Sequence, residues 1–131
     1  MEFRYRHDPE EADDAPLSAT VDVKLRHNDR DYSCRAVLDS GSAFSTITEA
    51  ARQALGPRRS GERPRVFGAT DTKGRDLPLY KVDALYFAGV VYSQFELTAL
   101  PGSSSIMLIG RDILNNHRTL LDGPEEEFTI E

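Results

Sequence analysis

Asp39 is the residue whose neighbours look most like the makings of a reactive site. It follows Ala36, Val37 and Leu38, and Ser40, Gly41 and Ser42 come directly after it. Val37 and Leu38 read as the interior end of a strand, so the carboxylate arrives at the edge of a core. A buried charge must be paired, hydrogen-bonded or neutralised. Ser40 and Ser42 offer hydroxyl donors, Gly41 offers a backbone N–H, and its lack of a Cβ permits a sharp bend and a close approach. One use of such a stretch is structural: an Asx-turn, in which the aspartate bonds its own backbone two residues on. The other is a carboxylate kept for chemistry, and the triplet by itself does not decide between them.

The remaining reactive residue types give weaker signals. His7, His27 and His117 have no ligand-like spacing and no companion cysteines, which argues against a structural metal and for surface histidines. Cys34 reads as a small buried or half-buried strand residue, since no positioned histidine argues for a nucleophile. Ser42 and Ser45 lack the nucleophile-elbow pattern. Four arginines fall within Arg58–Arg65. They read as a solvated loop or, alternatively, as a patch that favours acidic substrates or partners.

The elements that must position Asp39 are short and mostly extended. Residues 1–16 begin with alternating Phe3 and Tyr5, turn acidic and end at Pro16, an arm and linker ahead of a domain at residues 17–131. Val21, Val23 and Leu25 alternate along one strand, a polar turn follows, and residues 32–39 form the second strand of a hairpin. Thr48 caps a helix of about two turns that Gly56 and Pro57 end. Residues 65–82 read as a long hairpin with a polar tip near Asp71–Gly74, and residues 83–100 as two strands broken at Ala88 and Gly89. The apolar run at 106–110 reads as a strand buried on both faces, followed by a short helix and a strand, turn and strand to residue 131. The class is all-β, with one or two short helices, in a small closed barrel or sandwich.

Composition narrows the functions. With 131 residues, 39% of them hydrophobic, the chain has material for one core. A site that needs two domains must therefore recruit a second chain. A net charge of −6 argues against nucleic-acid binding. No apolar stretch suggests a membrane span, and a single cysteine suits a reducing, cytoplasmic location.

Taken together, the motifs resemble the retropepsins, the retroviral-type aspartic proteases. The resemblance runs from about Leu17 to Glu131 and consists of a hairpin entering "VLDSGS", the long hairpin "VFGATDTKGRDLPLYKV" in the place of the flap, and "IMLIGRDIL" near the end. It implies a retropepsin-like lobe per chain and an active site formed by a homodimer, because the sequence holds one Asp-Ser-Gly and no second Asp-[Ser/Thr]-Gly. Two Asp39 carboxylates about 3 Å apart would share one proton and activate a water against a peptide bond. Peptides or unfolded protein segments would be the substrate, and no metal or cofactor is required.

The resemblance also implies roles for individual residues. Asp39, Ser40 and Gly41 would be catalytic, with the Ser40 hydroxyl bracing the two loops across the dimer. Ser42, Ala43, Phe67, Gly68, Ala69, Leu108 and Ile109 would bind substrate, Ser42 also donating to the ionised carboxylate. Phe67 to Ala69 would belong to a flap whose tip, Thr70 to Lys73, is more polar than in viral relatives. Arg111 matches an arginine that pairs in viral members with an acid after the triplet. Ala43 and Phe44 stand there instead, so its partner would be Asp112, a C-terminal glutamate or the other subunit. The alternative is a retropepsin-like dimerisation or peptide-binding module with negligible turnover.

Overall fold

The computed structural model describes residues 1–66, 74–99 and 105–131. Strands β1 (Glu2–Arg4), β2 (Thr20–His27), β3 (Arg30–Leu38) and β4 (Thr46–Ile47) precede helix α1 (Glu49–Leu55). Strands β5 (Arg59–Val66), β6 (Arg75–Phe87), β7 (Val90–Ala99) and β8 (Met107–Ile109) follow, then helix α2 (Arg111–Leu114), β9 (Thr119–Asp122) and β10 (Glu127–Ile130).

The β2–β3 hairpin shows how local sequence sets the framework. Val21, Val23 and Leu25 are buried while Asp22 and Arg26 face solvent, the alternation of a strand with one face on a core. Asn28 and Asp29 turn the chain with φ of 49° and 62°, and His27 pairs with Arg30 across the turn. Two residues of positive φ match the twist of the flanking strands, and Asn and Asp tolerate that conformation. Ala88 and Gly89 repeat the device between β6 and β7, with φ of 50° and 80°.

The main sheet runs β4-β7-β6-β2-β3-β8, with β5 pairing β6. Its two ends meet: the Leu108 N–H donates to Thr46 Oγ1 at 2.9 Å, so β8 reaches β4 and the sheet curls into a barrel-like body. Val23, Leu25, Ala36, Val82, Leu85, Phe87, Leu97, Met107, Ile109 and Ile113 fill it. Each large apolar side chain buried in this way contributes about 1.5–3 kcal/mol. A smaller sheet, β1-β10-β9, lies beside the barrel. The arm that starts the chain joins it through Phe3, which stacks on Phe128 with ring centroids 5.0 Å apart.

Three details differ from the sequence-based expectation. Residues 59–64, read as a solvated loop, extend the hairpin arm expected from residue 65, so that β5 starts at Arg59. Gly61 and Pro64 are poor strand formers, but the ladder to Leu77 and Leu79 of β6 recruits them. The register shifts between Arg59 and Gly61 and again between Arg63 and Val66, and the second irregularity accommodates Pro64, which has no N–H to donate. The apolar run ending in Gly110 is buried at Met107 and Ile109 but only half-buried at Leu108. Val37 and Leu38 are likewise half-buried, so Asp39 stands at a partly open rim of the core. Helix α1 meets the expectation: the Thr48 hydroxyl accepts from Ala51 N–H, and Gly56 ends the helix in the left-handed conformation.

Candidate functional site

Asp39 closes the parallel pair of β3 and β8. Leu38 lies in register with Ile109, and the Asp39 N–H extends the ladder by one bond to the Ile109 carbonyl at 2.9 Å. The chain then turns. Gly41 N–H donates to Asp39 Oδ1 at 2.9 Å and Ser42 N–H to the Asp39 carbonyl at 3.1 Å, which is the Asx-turn geometry. A Cβ at position 41 would stand 3.1 Å from Asp39 Oδ1, tighter than most side chains tolerate. The turn therefore fixes one carboxylate oxygen and leaves Oδ2 with no hydrogen-bond partner among the described residues. The side chain is half-buried and reachable from solvent.

The loop from Asp39 to Ser45 is braced from the far side by β8 and α2. Arg111 N–H donates to the Ser42 carbonyl at 2.9 Å and Asp112 N–H to the Ala43 carbonyl at 3.2 Å, so the loop receives the first N–H groups of the helix, which have no partner within it. Asp112 returns the contact. Both of its carboxylate oxygens accept from Ser45 N–H at 3.0 Å, and Oδ1 accepts from Ser45 Oγ at 2.7 Å. Ser45 Oγ in turn accepts from Gly110 N–H at 2.9 Å, and Ser45 is fully buried. Any side chain at position 110 would collide with the Phe44 backbone, since a Cβ there would lie 2.7 to 2.9 Å from its atoms. Only glycine lets β8 and the loop come this close.

Two arginines complete the frame. Arg111 Nη1 donates to the Ser40 carbonyl at 2.7 Å. Its partner is a backbone oxygen of the loop itself, rather than Asp112 or a C-terminal glutamate. Arg63, on β5, lays its guanidinium 3.4 Å from the centroid of the Phe44 ring and donates from Nε to Thr98 Oγ1 at 3.1 Å. The β5–β6 hairpin is thereby tied to the loop that carries Asp39.

The expected site residues fall into distinct groups. Asp39, Ser40, Gly41, Ser42 and Ala43 share one loop, with Ser40, Gly41 and Ala43 exposed. The Ser42 hydroxyl does not donate to the carboxylate: it donates to the Phe44 carbonyl at 2.8 Å, two residues on in the same loop. Leu108 is half-buried, in register with Val37 and near the loop. Ile109 is fully buried in the core, so its side chain serves packing instead of substrate contact. Phe67, Gly68 and Ala69, with the tip at Thr70 to Lys73, lie outside the described residues.

Ser45 and Asp112, which hold the loop, were not singled out by their spacing. They are 67 positions apart and meet only because β3 and β8 run side by side. The one local signal is an acid in the first turn of a short helix, directly after Gly-Arg.

The other reactive side chains lie elsewhere. Burial pushes the Cys34 thiol up from its ordinary 9.0 to about 11, with a Thr48 hydrogen bond opposing the shift, so it is no nucleophile near neutrality. The histidines, expected at the surface, are all half-buried. His117 Nε2 lies 2.7 Å from the Tyr92 hydroxyl and its ring packs edge-on against Phe87. Among the described residues no three His, Cys, Asp or Glu side chains gather as a metal site would require, and no helix is long and apolar enough to cross a membrane.

A barrel-like lobe with Asp-Ser-Gly at the end of an inner strand, closed behind by an apolar-apolar-Gly strand and a short helix, defines an aspartic protease lobe of the retroviral type. The family described as aspartyl protease matches residues 21–113, and the chain belongs to it. Among solved structures, a retropepsin-like aspartic protease from Rickettsia conorii is similar over 99% of this chain and 89% of its own, with a TM-score of 0.65 and 14% identity. The EIAV protease complexed with the inhibitor HBY-793 matches over 84% of this chain and 91% of its own, with a TM-score of 0.53 and 20% identity. The retroviral protease-like domain of Ddi1 from Leishmania major matches over 86% and 89%, with a TM-score of 0.52 and 18% identity. At these identities the likeness establishes the retropepsin-like fold. A comparison with curated protein sequences finds none that matches.

Proposed function

We propose that this chain is one half of an aspartic endopeptidase, completed when a second copy brings its own Asp39 across a two-fold axis. The observation that carries the reading is the state of Asp39. One carboxylate oxygen is oriented by Gly41 N–H, the other has no partner among the described residues, and the loop behind is held by Arg111, Asp112 and Ser45. A rigid support for a half-exposed, uncommitted carboxylate is what a catalytic acid or base requires.

In the dimer the two carboxylates share one proton, since like charges about 3 Å apart do not both ionise. The ionised member takes a proton from a water held between them. That water attacks the scissile carbonyl carbon, and the protonated member donates to the carbonyl oxygen. The gem-diol collapses as the aspartate that took the water's proton passes it to the leaving nitrogen and one diol hydroxyl returns its proton to the other aspartate, so the C–N bond breaks without any covalent enzyme intermediate and the dyad again holds one proton. Ser40 braces the paired loops, Ser42, Ala43 and Leu108 border the substrate, and the β5–β6 hairpin covers it as a flap.

The test is cleavage of a peptide library from acid to neutral pH, with wild type beside Asp39→Asn. The reading predicts a bell-shaped pH profile for the dyad and a loss of at least about 10³-fold in kcat/KM for the variant. Cleavage that survives Asp39→Asn contradicts it. A folded wild type that binds peptides without cutting them assigns the chain to a peptide-binding module instead.

A further inference from the structure

Strand β5 is the first arm of the hairpin proposed to cover the substrate, and its fastening to the rest of the lobe is narrow. As a strand it pairs with β6 and no other. That pairing is irregular at both ends, between Arg59 and Gly61 and between Arg63 and Val66. Two of its described side chains reach past β6 to β7: Ser60 donates to Glu96 at 3.1 Å, and Arg63 Nε donates to Thr98 Oγ1 at 3.1 Å. Among the described residues of β5, Arg63 alone also has a polar or ring contact with the loop that carries Asp39.

Arg63 is half-buried and grips this loop at its far end. Thr98 is buried, lies in register with Thr46, and gives its N–H to the Ser45 carbonyl at 3.1 Å. The guanidinium covers the Phe44 ring, 3.4 Å from its centroid, a contact that gains strength where water is partly excluded. Phe44 is itself fixed: its carbonyl accepts from the Ser42 hydroxyl at 2.8 Å, and its backbone lies so close to Gly110 that no Cβ fits between them. A swing of the β5 arm away from the lobe must therefore break both contacts of Arg63. Phe44 could follow the arm only by disturbing the turn that holds Asp39.

We propose that Arg63 is a positioning residue for peptide cleavage: through Phe44 and Thr98 it holds the β5 arm against the Asp39 loop before substrate arrives. A cover already in place lowers the cost of binding, because less has to be ordered when the peptide enters. Loss of the tie should then raise KM and leave kcat nearly unchanged, since the Asp39 turn keeps its own bonds from Gly41 and to Ile109. The consequence for turnover rests on the endopeptidase reading, whereas the coupling of β5 to the loop stands on the contacts alone.

The test compares wild type with Arg63→Met, which loses the charge, Arg63→Lys, which keeps a cation for the ring, and Phe44→Leu. In peptide cleavage Arg63→Met and Phe44→Leu should each raise KM roughly tenfold with kcat within about twofold, and Arg63→Lys should recover part of the loss. The Arg63→Met/Phe44→Leu double variant should be little worse than Arg63→Met, because both substitutions cut one tie. A variant that is merely unstable loses active protein, which lowers apparent kcat and leaves KM in place; that result, or fully additive effects, would overturn the proposal. The coupling is read without turnover by amide hydrogen exchange in the full-length Asp39→Asn protein. Adding Phe44→Leu there should speed exchange in β5 about tenfold while β2 and β3 stay as they were. Unchanged exchange in β5 overturns the proposal whether or not wild type cleaves peptides. The endopeptidase reading fails separately, if wild type cleaves nothing while this coupling holds.

Discussion

The loop that carries Asp39 and the stretch of β6 from Lys81 to Asp83, between its pairings with β5 and β2, treat their polar groups in opposite ways. In the loop most groups are engaged within the chain: the carbonyls of Ser40, Ser42 and Ala43 accept from α2, and Ser45 bridges Asp112 and Gly110, while Oδ2 of Asp39 has no partner among the described residues. Along Lys81–Asp83 the ladder is interrupted, and Arg58 and Lys81 have no hydrogen bond or ion pair among the described residues. The first arrangement holds one oxygen in a fixed place, as acid–base chemistry demands. The second leaves two long charged side chains, Arg58 and Lys81, exposed to solvent.

This contrast is open to attack at both ends. The sharpest blow to the loop is Asp112→Ala, which strands the buried Ser45 N–H and hydroxyl. A loss of about 3 kcal/mol in unfolding free energy is expected from denaturant titration, with Asp112→Asn recovering part of it. If Asp112→Ala costs no stability and leaves activity unchanged, the brace is not what holds the loop.

The next effect lies in the core, between the two regions. The Cys34 thiol is pushed up from 9.0 to about 11 by burial. Below pH 9 the thiol is protonated in both folded and unfolded chains and contributes no pH dependence. Between pH 9 and about 11 the unfolded thiol gives up its proton while the folded one keeps it, so stability falls as pH rises. Relative to Cys34→Ala, wild type should lose roughly 2 kcal/mol across that window. Parallel stability curves for the two proteins would show that the thiol is not shielded.

The smallest effect belongs to Arg58. Arg58→Ala should change stability by less than about 0.5 kcal/mol, because the side chain is exposed and has no partner among the described residues. A larger loss would mean that Arg58 is structural, and the contrast with the loop would fail.

Much of this was legible in the sequence wherever a signal is local. Alternation at Val21, Val23 and Leu25, the Asn28-Asp29 turn, the Thr48 cap and the Gly56 stop each act within a few residues, and the structure places them as read. Residues 59–64 of β5 were not legible as strand, since Gly61 and Pro64 argue against one and only pairing with β6 makes it. The same limit applied at the site. Asp39 and its turn are contiguous and could be read together. Ser45 with Asp112, and Arg111 with the Ser40 carbonyl, are joined through the parallel β3–β8 pair across long stretches of chain. The Ser42 hydroxyl turns to the Phe44 carbonyl because the loop's backbone path brings that oxygen within 2.8 Å, which residue types alone do not show.

The central claim is that one active site needs two Asp39 carboxylates from two chains. The most direct measurement is peptide cleavage at a fixed amount of wild type while Asp39→Asn protein is added and subunits are allowed to exchange. The account predicts that activity falls as mixed dimers, each carrying one aspartate and one asparagine, draw wild-type chains out of active pairs. Activity that stays constant however much variant is added would contradict it.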